Sequence, residues 1–163
     1  MAREAQAMRL WRRLGGSALG RWLFTRIVCV KAPYFASISP LVTRLEPGRC
    51  EAELQQRRRI QNHIGTVHAI ALCNLAELCA GLVTDVSIPG DMRWIPQDMT
   101  VRYLKKAAGR ISAVAMPATE LRSAVEAYPA TIEVELRDTA GQRVASAEIR
   151  MWLSPRPQPP ARA

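Results

Sequence analysis

The densest polar cluster in the chain runs Gln61-Asn62-His63-Ile64-Gly65-Thr66-Val67-His68, and Glu77 follows nine residues after His68 inside an otherwise apolar run. A carboxylate within an apolar helix is costly unless it is paired or hydrogen-bonded, so Glu77 needs a reason. One reason is chemistry, with the carboxylate as a general base. The other is structural: a partly exposed place on the helix edge, or a partner subunit's backbone that satisfies it. His63 and His68 read equally as reactive imidazoles or as loop and capping residues. Asn62 suits a turn, Gly65 a left-handed backbone position, and Thr66 the N-cap of the helix that follows. No metal site is expected from His63, His68 and Glu77. The His-x4-His gap does not place both rings on one helical face, and no third nitrogen ligand exists.

These residues must be positioned by the elements around them. Glu4 to about Lys31 is helical in pattern with a weak point at Gly15-Gly16. Leu19, Trp22, Leu23, Ile27 and Val30 recur at three- and four-residue spacing with arginines between them. This predicts an amphipathic basic helix pair that packs on its own domain, on a partner subunit, or peripherally on a membrane surface. Leu41 to Leu45, the turn Glu46-Pro47-Gly48, and Cys50 to Gln55 read as two antiparallel strands. Thr66 opens an apolar helix to about Val83, closed between Gly81 and Pro89; residues 85–97 read as a loop. Alternation then predicts strands over Met99 to Tyr103, Ile111 to Met116, Ile132 to Leu136 and Ala145 to Met151. The segment 154–163 reads as a Pro-rich disordered tail, and no internal repeat is present.

The fold class this order predicts is α+β: an antiparallel sheet of about six strands wrapped around one long buried helix, the hotdog architecture, over 32–153, with residues 1–31 as an N-terminal helical extension. One helix cannot cover six strands alone, so pairing into a homodimer or homotetramer is expected.

Charge narrows the function classes. The 163 residues carry 23 Lys+Arg against 14 Asp+Glu, a net +9. The excess is +6 on 1–31 and +2 on the tail, leaving +1 on the predicted domain. Without a helix-turn-helix signature or an aromatic-basic strand motif, and with 6% aromatics, no nucleic-acid partner is expected. Basic side chains such as Arg57 to Arg59, Arg102, Lys105 and Lys106 read as solvated strand ends or as contacts to the phosphates of coenzyme A. No run of about 18 consecutive apolar residues spans a membrane, since Asn74 and Glu77 interrupt the most apolar segment. No secretory signal pattern is seen. Cys29, Cys50, Cys73 and Cys79 show neither C-x-x-C nor zinc spacing and read as reduced, mostly core thiols of a cytoplasmic protein.

A resemblance adds to this. Asn62-x5-His68, Ala69-Ile70-Ala71-Leu72 and Leu75-Ala76-Glu77 resemble the signature of hotdog thioesterases of the phenylacetyl-CoA thioesterase type. In these an Asn precedes the helix-start His by six residues and an Asp or Glu follows it by nine. Ala32-Pro33-Tyr34-Phe35, Ser37 to Pro40, Pro47-Gly48-Arg49-Cys50 and Asn62 to Gly81 are similar to a bacterial branch of the superfamily known as a domain of unknown function. The resemblance covers roughly residues 20–152 and implies hydrolysis of an acyl thioester, acyl-CoA, at a site shared by two subunits and without a cofactor. It implies Glu77 as base or nucleophile, Asn62 positioning the water or carboxylate, and His68 orienting or binding near the thioester. His63, Gly65 and Thr66 would lie at the substrate, and the backbone N–H groups of Ala69 and Ile70 would hold the thioester oxygen. The family's usual Gly-Gly after the His is replaced here by Ala69-Ile70.

Two other readings stand beside it. One is a non-catalytic acyl-CoA-binding or interaction module. The other is a hotdog 3-hydroxyacyl dehydratase, suggested by the fourteen-residue spacing of His63 and Glu77 but lacking the Pro-Gly turn between them.

Overall fold

The computed structural model describes residues 5–157; the remaining residues of the expected extension and tail, 1–4 and 158–163, lie outside the described residues. Helices α1 (Gln6–Leu14) and α2 (Ala18–Lys31) are followed by a 3-10 turn at Pro33–Ile38 and the hairpin β1 (Leu41–Glu46) and β2 (Arg49–Gln55). Helix α3 (Ala69–Ser87) comes next, then β3 (Met92–Tyr103), β4 (Arg110–Pro117), β5 (Tyr128–Arg137) and β6 (Arg143–Pro155). The strands form one six-stranded sheet in the order β1-β2-β4-β5-β6-β3, with antiparallel neighbours throughout. This is the hotdog arrangement.

Alternation sets which face meets the helix. Cys50, Ala52 and Leu54 on β2, Ile111, Ala113 and Ala115 on β4, and Ile132, Val134 and Leu136 on β5 are buried. So are Ala145, Ala147, Ile149, Met151 and Leu153 on β6. Against this face α3 buries Leu72, Leu75, Leu78, Cys79 and Val83. By length and hydropathy α3 could cross a bilayer, but most of it is enclosed within the fold, as befits a core helix. Its Asn74 is also buried, with Nδ2 donating to Ser37 Oγ at 3.1 Å, which ties α3 to the 3-10 turn.

Several boundaries differ from the sequence expectation. Helix α3 runs through Gly81 to Ser87, because Gly81 faces the Trp94 ring and a Cβ there would sit 3.1 Å from it. Most of the expected loop 85–97 is absent: β3 starts at Met92 and passes Pro96 at an irregularity between Pro96 and Asp98. Proline is tolerated there because β3 is an edge strand. Its Met99 and Tyr103 are exposed. Strand β6 continues to Pro155, so Ser154 and Pro155 are paired to β3 rather than part of a tail.

The N-terminal helices break where Gly15-Gly16 predicts, and Ser17 Oγ caps α2 by accepting from Gly20 N–H at 3.0 Å. They belong to the core. Phe24 is wholly buried and meets the Trp11 ring edge-on, centroids 5.0 Å apart. Thr25 Oγ1 accepts from Val42 N–H at 3.0 Å, docking α2 on β1. One sheet edge is therefore engaged by a helix, and the β3 edge is open.

Candidate active site

The Asn62–His68 segment is a closed loop. Asn62 Oδ1 accepts from Ile64 N–H and Thr66 N–H at 3.2 and 3.0 Å, and Asn62 Nδ2 donates to Thr66 Oγ1 at 2.8 Å. Gly65 turns the chain at φ +77°, a left-handed position as expected, after which Val67 pairs with Gln61. Gln56 Nε2 donates to Gly65 O, Gln56 Oε1 accepts from Gly109 N–H, and Val67 N–H donates to Ala107 O. These bonds fix the loop to the segment before β4. They also move the helix start: Thr66 is used inside the loop, and the N-cap is His68, whose Nδ1 accepts from Ile70 N–H at 3.1 Å. Of the two backbone donors expected to hold a substrate oxygen, Ile70 N–H is thus occupied by His68. Ala69 N–H has no hydrogen bond among the described residues. His63 is exposed at the loop tip, and the Ile70 side chain is exposed at the helix start.

Glu77 lies elsewhere on the same helix. The row Cys73, Glu77, Gly81, Asp85, at successive four-residue steps, is the half-buried stripe of α3, while its remaining faces are largely buried. Nine residues of helix place Glu77 ~13 Å along the axis from His68 and about half a turn around it. One chain therefore does not bring Glu77 together with Asn62, His63 or His68. The Glu77 carboxylate makes no hydrogen bond or ion pair among the described residues. It is half-buried rather than enclosed in the helix interior, as the structural reading of Glu77 allowed.

Glu77 instead lines a cavity of about 720 Å³ between the N-terminal helix pair and α3. Leu10, Phe24, Val28, Leu78, Leu82 and Trp94 form apolar parts of its wall. Arg9 and Lys31 from the helix pair, Asp85 from α3 and Arg156 after β6 add charge. Lys31 Nζ donates to Gln6 Oε1 at 2.9 Å, joining the end of α2 to the start of α1 over this space. Sequence reasoning missed Arg9, Lys31, Asp85 and Arg156 as cavity residues. The signal for Asp85 was its four-residue step from Gly81 and eight from Glu77; the cations come from segments far away in sequence.

Beside the cavity row, Cys73 Sγ lies 3.0 Å from Tyr103 Oη. That hydrogen bond, with burial and the nearby thiol adding to it, pushes the Tyr103 phenol up to about 12. The four cysteines are free, as expected, and three are buried. Cys50 is pushed well above the usual thiol range, first by its hydrogen bond with Cys79 and then by burial. Among the described residues no cluster of His, Cys, Asp and Glu could hold a metal ion. Arg102 and Lys105, considered for phosphate contacts, are engaged on the surface with Glu148 and Gln142.

Residues 20–153 match the family described as a domain of unknown function, DUF4442. The chain belongs to this family. This DUF4442 chain is 40% identical to the solved structural-genomics protein APC5556, over 92% of this chain and 98% of that one, with a TM-score of 0.78. It is 25% identical to PA5026 of Pseudomonas aeruginosa, a protein of unknown function named a probable thioesterase, over 78% and 91% of the two chains, TM-score 0.71. Thioesterase HI1161 of Haemophilus influenzae shares the fold at 13% identity, TM-score 0.65, over 75% and 82%. No curated protein matches the chain significantly. The DUF4442 chain is thus thioesterase-like in fold.

Proposed function

We propose that this DUF4442 protein hydrolyses acyl-CoA thioesters at a site completed by two copies of the chain. The observation that carries the reading is Glu77: an unpartnered, half-buried carboxylate on the wall of a cavity lined by both apolar and charged side chains. Thioesters are activated acyl groups, so a positioned base and water suffice. Glu77 takes a proton from water as the oxygen adds to the thioester carbonyl; the C–S bond then breaks and the leaving thiolate is protonated. The apolar wall suits the acyl chain, and Arg9, Lys31 and Arg156 offer charge to an anionic carrier.

The second copy is needed because one chain separates Glu77 from the loop. The open β3 edge, with Ile95, Met99 and Tyr103 exposed, is a long strand left unpaired on one side. Tyr103 touches Cys73, so this edge adjoins the stripe of α3 that carries Glu77. Pairing of two copies along β3 supplies the partner loop, its Asn62 and His68, and its free Ala69 N–H. The name of PA5026 as a probable thioesterase supports this chemistry.

One observation favours a binding module instead: Ile70 N–H is already used by His68, and Ala69-Ile70 adds side chains where the thioester oxygen would approach. A hydrolysis screen over acyl-CoA chain lengths and aryl-CoA esters, with Glu77→Gln as control, separates the two. Turnover that Glu77→Gln abolishes supports the enzyme; binding without turnover by the native chain supports the module.

A further inference from the structure

Helix α2 is apolar on two sides. Its inner side buries Phe24, Thr25 and Cys29 against the fold, which accounts for one face. The outer side carries Leu19, Trp22, Leu23, Arg26 and Val30 at positions i, i+3, i+4, i+7 and i+11, a single stripe along the helix. Leu19 is 73% exposed, Trp22 50%, Leu23 41% and Val30 81%. Just past the helix, Tyr34 is exposed as well. Packing within the chain does not explain this stripe.

The stretch of sequence that contains it carries charge of one sign. From residue 5 to 45 the sequence holds seven basic side chains and no acidic one. Arg26 lies within the stripe, its guanidinium carbon 5.8 Å from the Trp22 ring centroid, and its Nε is buried without a hydrogen-bond partner. An indole with a stacked guanidinium fits the boundary between acyl chains and headgroups, where the ring is desolvated and the cation meets phosphate.

A second copy is the competing occupant. The open strand edge is β3, at the opposite end of the sheet order from β1, and α2 docks on β1. Strand pairing along β3 uses that edge and not the outer stripe of α2, which faces away from the fold. A protein partner would need an acidic surface with an apolar groove; an anionic bilayer offers both properties over any area.

We propose that the outer face of α2 docks the protein peripherally on anionic phospholipid bilayers, with Leu19, Trp22, Leu23 and Val30 inserting and Arg26 meeting a lipid phosphate. Each cation near such a surface strengthens partitioning roughly fivefold, an effect that salt screens. The inner side of the same helix lines the Glu77 cavity through Phe24 and Val28, so docking sets that cavity beside the lipid surface. The proposal stands whether or not the cavity hydrolyses thioesters.

The test is co-sedimentation of the full chain with vesicles of equal parts phosphatidylglycerol and phosphatidylcholine, and with pure phosphatidylcholine vesicles. Expected is binding to the anionic vesicles that weakens with added salt, and little to the neutral ones. The double variant Leu19→Glu, Val30→Glu changes two exposed side chains and is expected to keep its thermal midpoint while its partition coefficient falls by at least about tenfold. Arg26→Gln provides a second variant, with a loss of roughly fivefold. Failure of the native chain to bind anionic vesicles overturns the proposal. So does equal binding by the folded double variant, or a native oligomer that this variant dissociates, which would assign the stripe to a second copy.

Discussion

Replacing Phe24 with Ala probes how the N-terminal pair roofs the cavity. Phe24 is wholly buried on α2 and holds Trp11 of α1 edge-on at 76°. Helix α1 has only nine residues and no fully buried side chain, so it has little means of staying folded except through half-buried contacts such as Leu10, Trp11 and Leu14. Truncating a buried Phe costs ~3–5 kcal/mol, of which the aromatic pair accounts for about 1 kcal/mol. With a urea dependence of ~2 kcal/mol/M for a chain of this size, the unfolding midpoint falls by ~1.5–2.5 M. The loss is not uniform. Hydrogen exchange should show the amides of α1 losing protection first, while those of α3 and the central strands keep theirs. If the cavity takes the acyl chain, KM for long-chain acyl-CoA rises more than kcat falls, because the roof contributes binding rather than chemistry. A midpoint shift below about 0.5 M, or unchanged protection of α1, would refute the assignment of Phe24 as the residue that holds this roof.

Ultraviolet titration of the tyrosines should reveal one phenol ionising at about 12, Tyr103, and Cys73→Ala should return it toward its ordinary value near 10. Because the folded-state value is raised, the associated stabilisation is present below about pH 10 and is lost as pH rises toward 12. A native chain whose tyrosines all titrate together contradicts the Cys73–Tyr103 bond. Asn62→Ala removes the acceptor of two loop N–H groups and the donor to Thr66, and should cost ~1–2 kcal/mol in denaturant unfolding with faster exchange at Thr66. No change at either readout would mean that the loop is held from outside, through Gln56 and Ala107.

Much of the fold was legible because one-sided burial writes itself as alternation. Ile132, Val134 and Leu136, or Ala145 to Met151, could face inward in only one register. The first half of β3 is not legible in the sequence because it lacks that alternation and contains Pro96, which an edge strand tolerates. The sequence alone points to Thr66 as the helix start because a Thr before an apolar run is an ordinary cap. Only the closed Asn62–Thr66 loop shows why the cap passes to His68. Glu77 was visible as a carboxylate out of place. The cavity before it was not, since Arg9, Leu10, Phe24 and Arg156 meet α3 only through tertiary packing. Most of the net +9 lies on residues 1–31, from which Arg9 and Lys31 reach the cavity, joined there by Arg156.

The most direct measurement is the rate of acyl-CoA hydrolysis by the native chain and by Glu77→Gln at matched concentration, with their unfolding midpoints compared. Expected is turnover by the native chain that falls by about two orders of magnitude or more in the variant at an unchanged midpoint. Equal rates in the two proteins would contradict the role of Glu77, and the absence of turnover on every acyl-CoA would contradict the thioesterase itself.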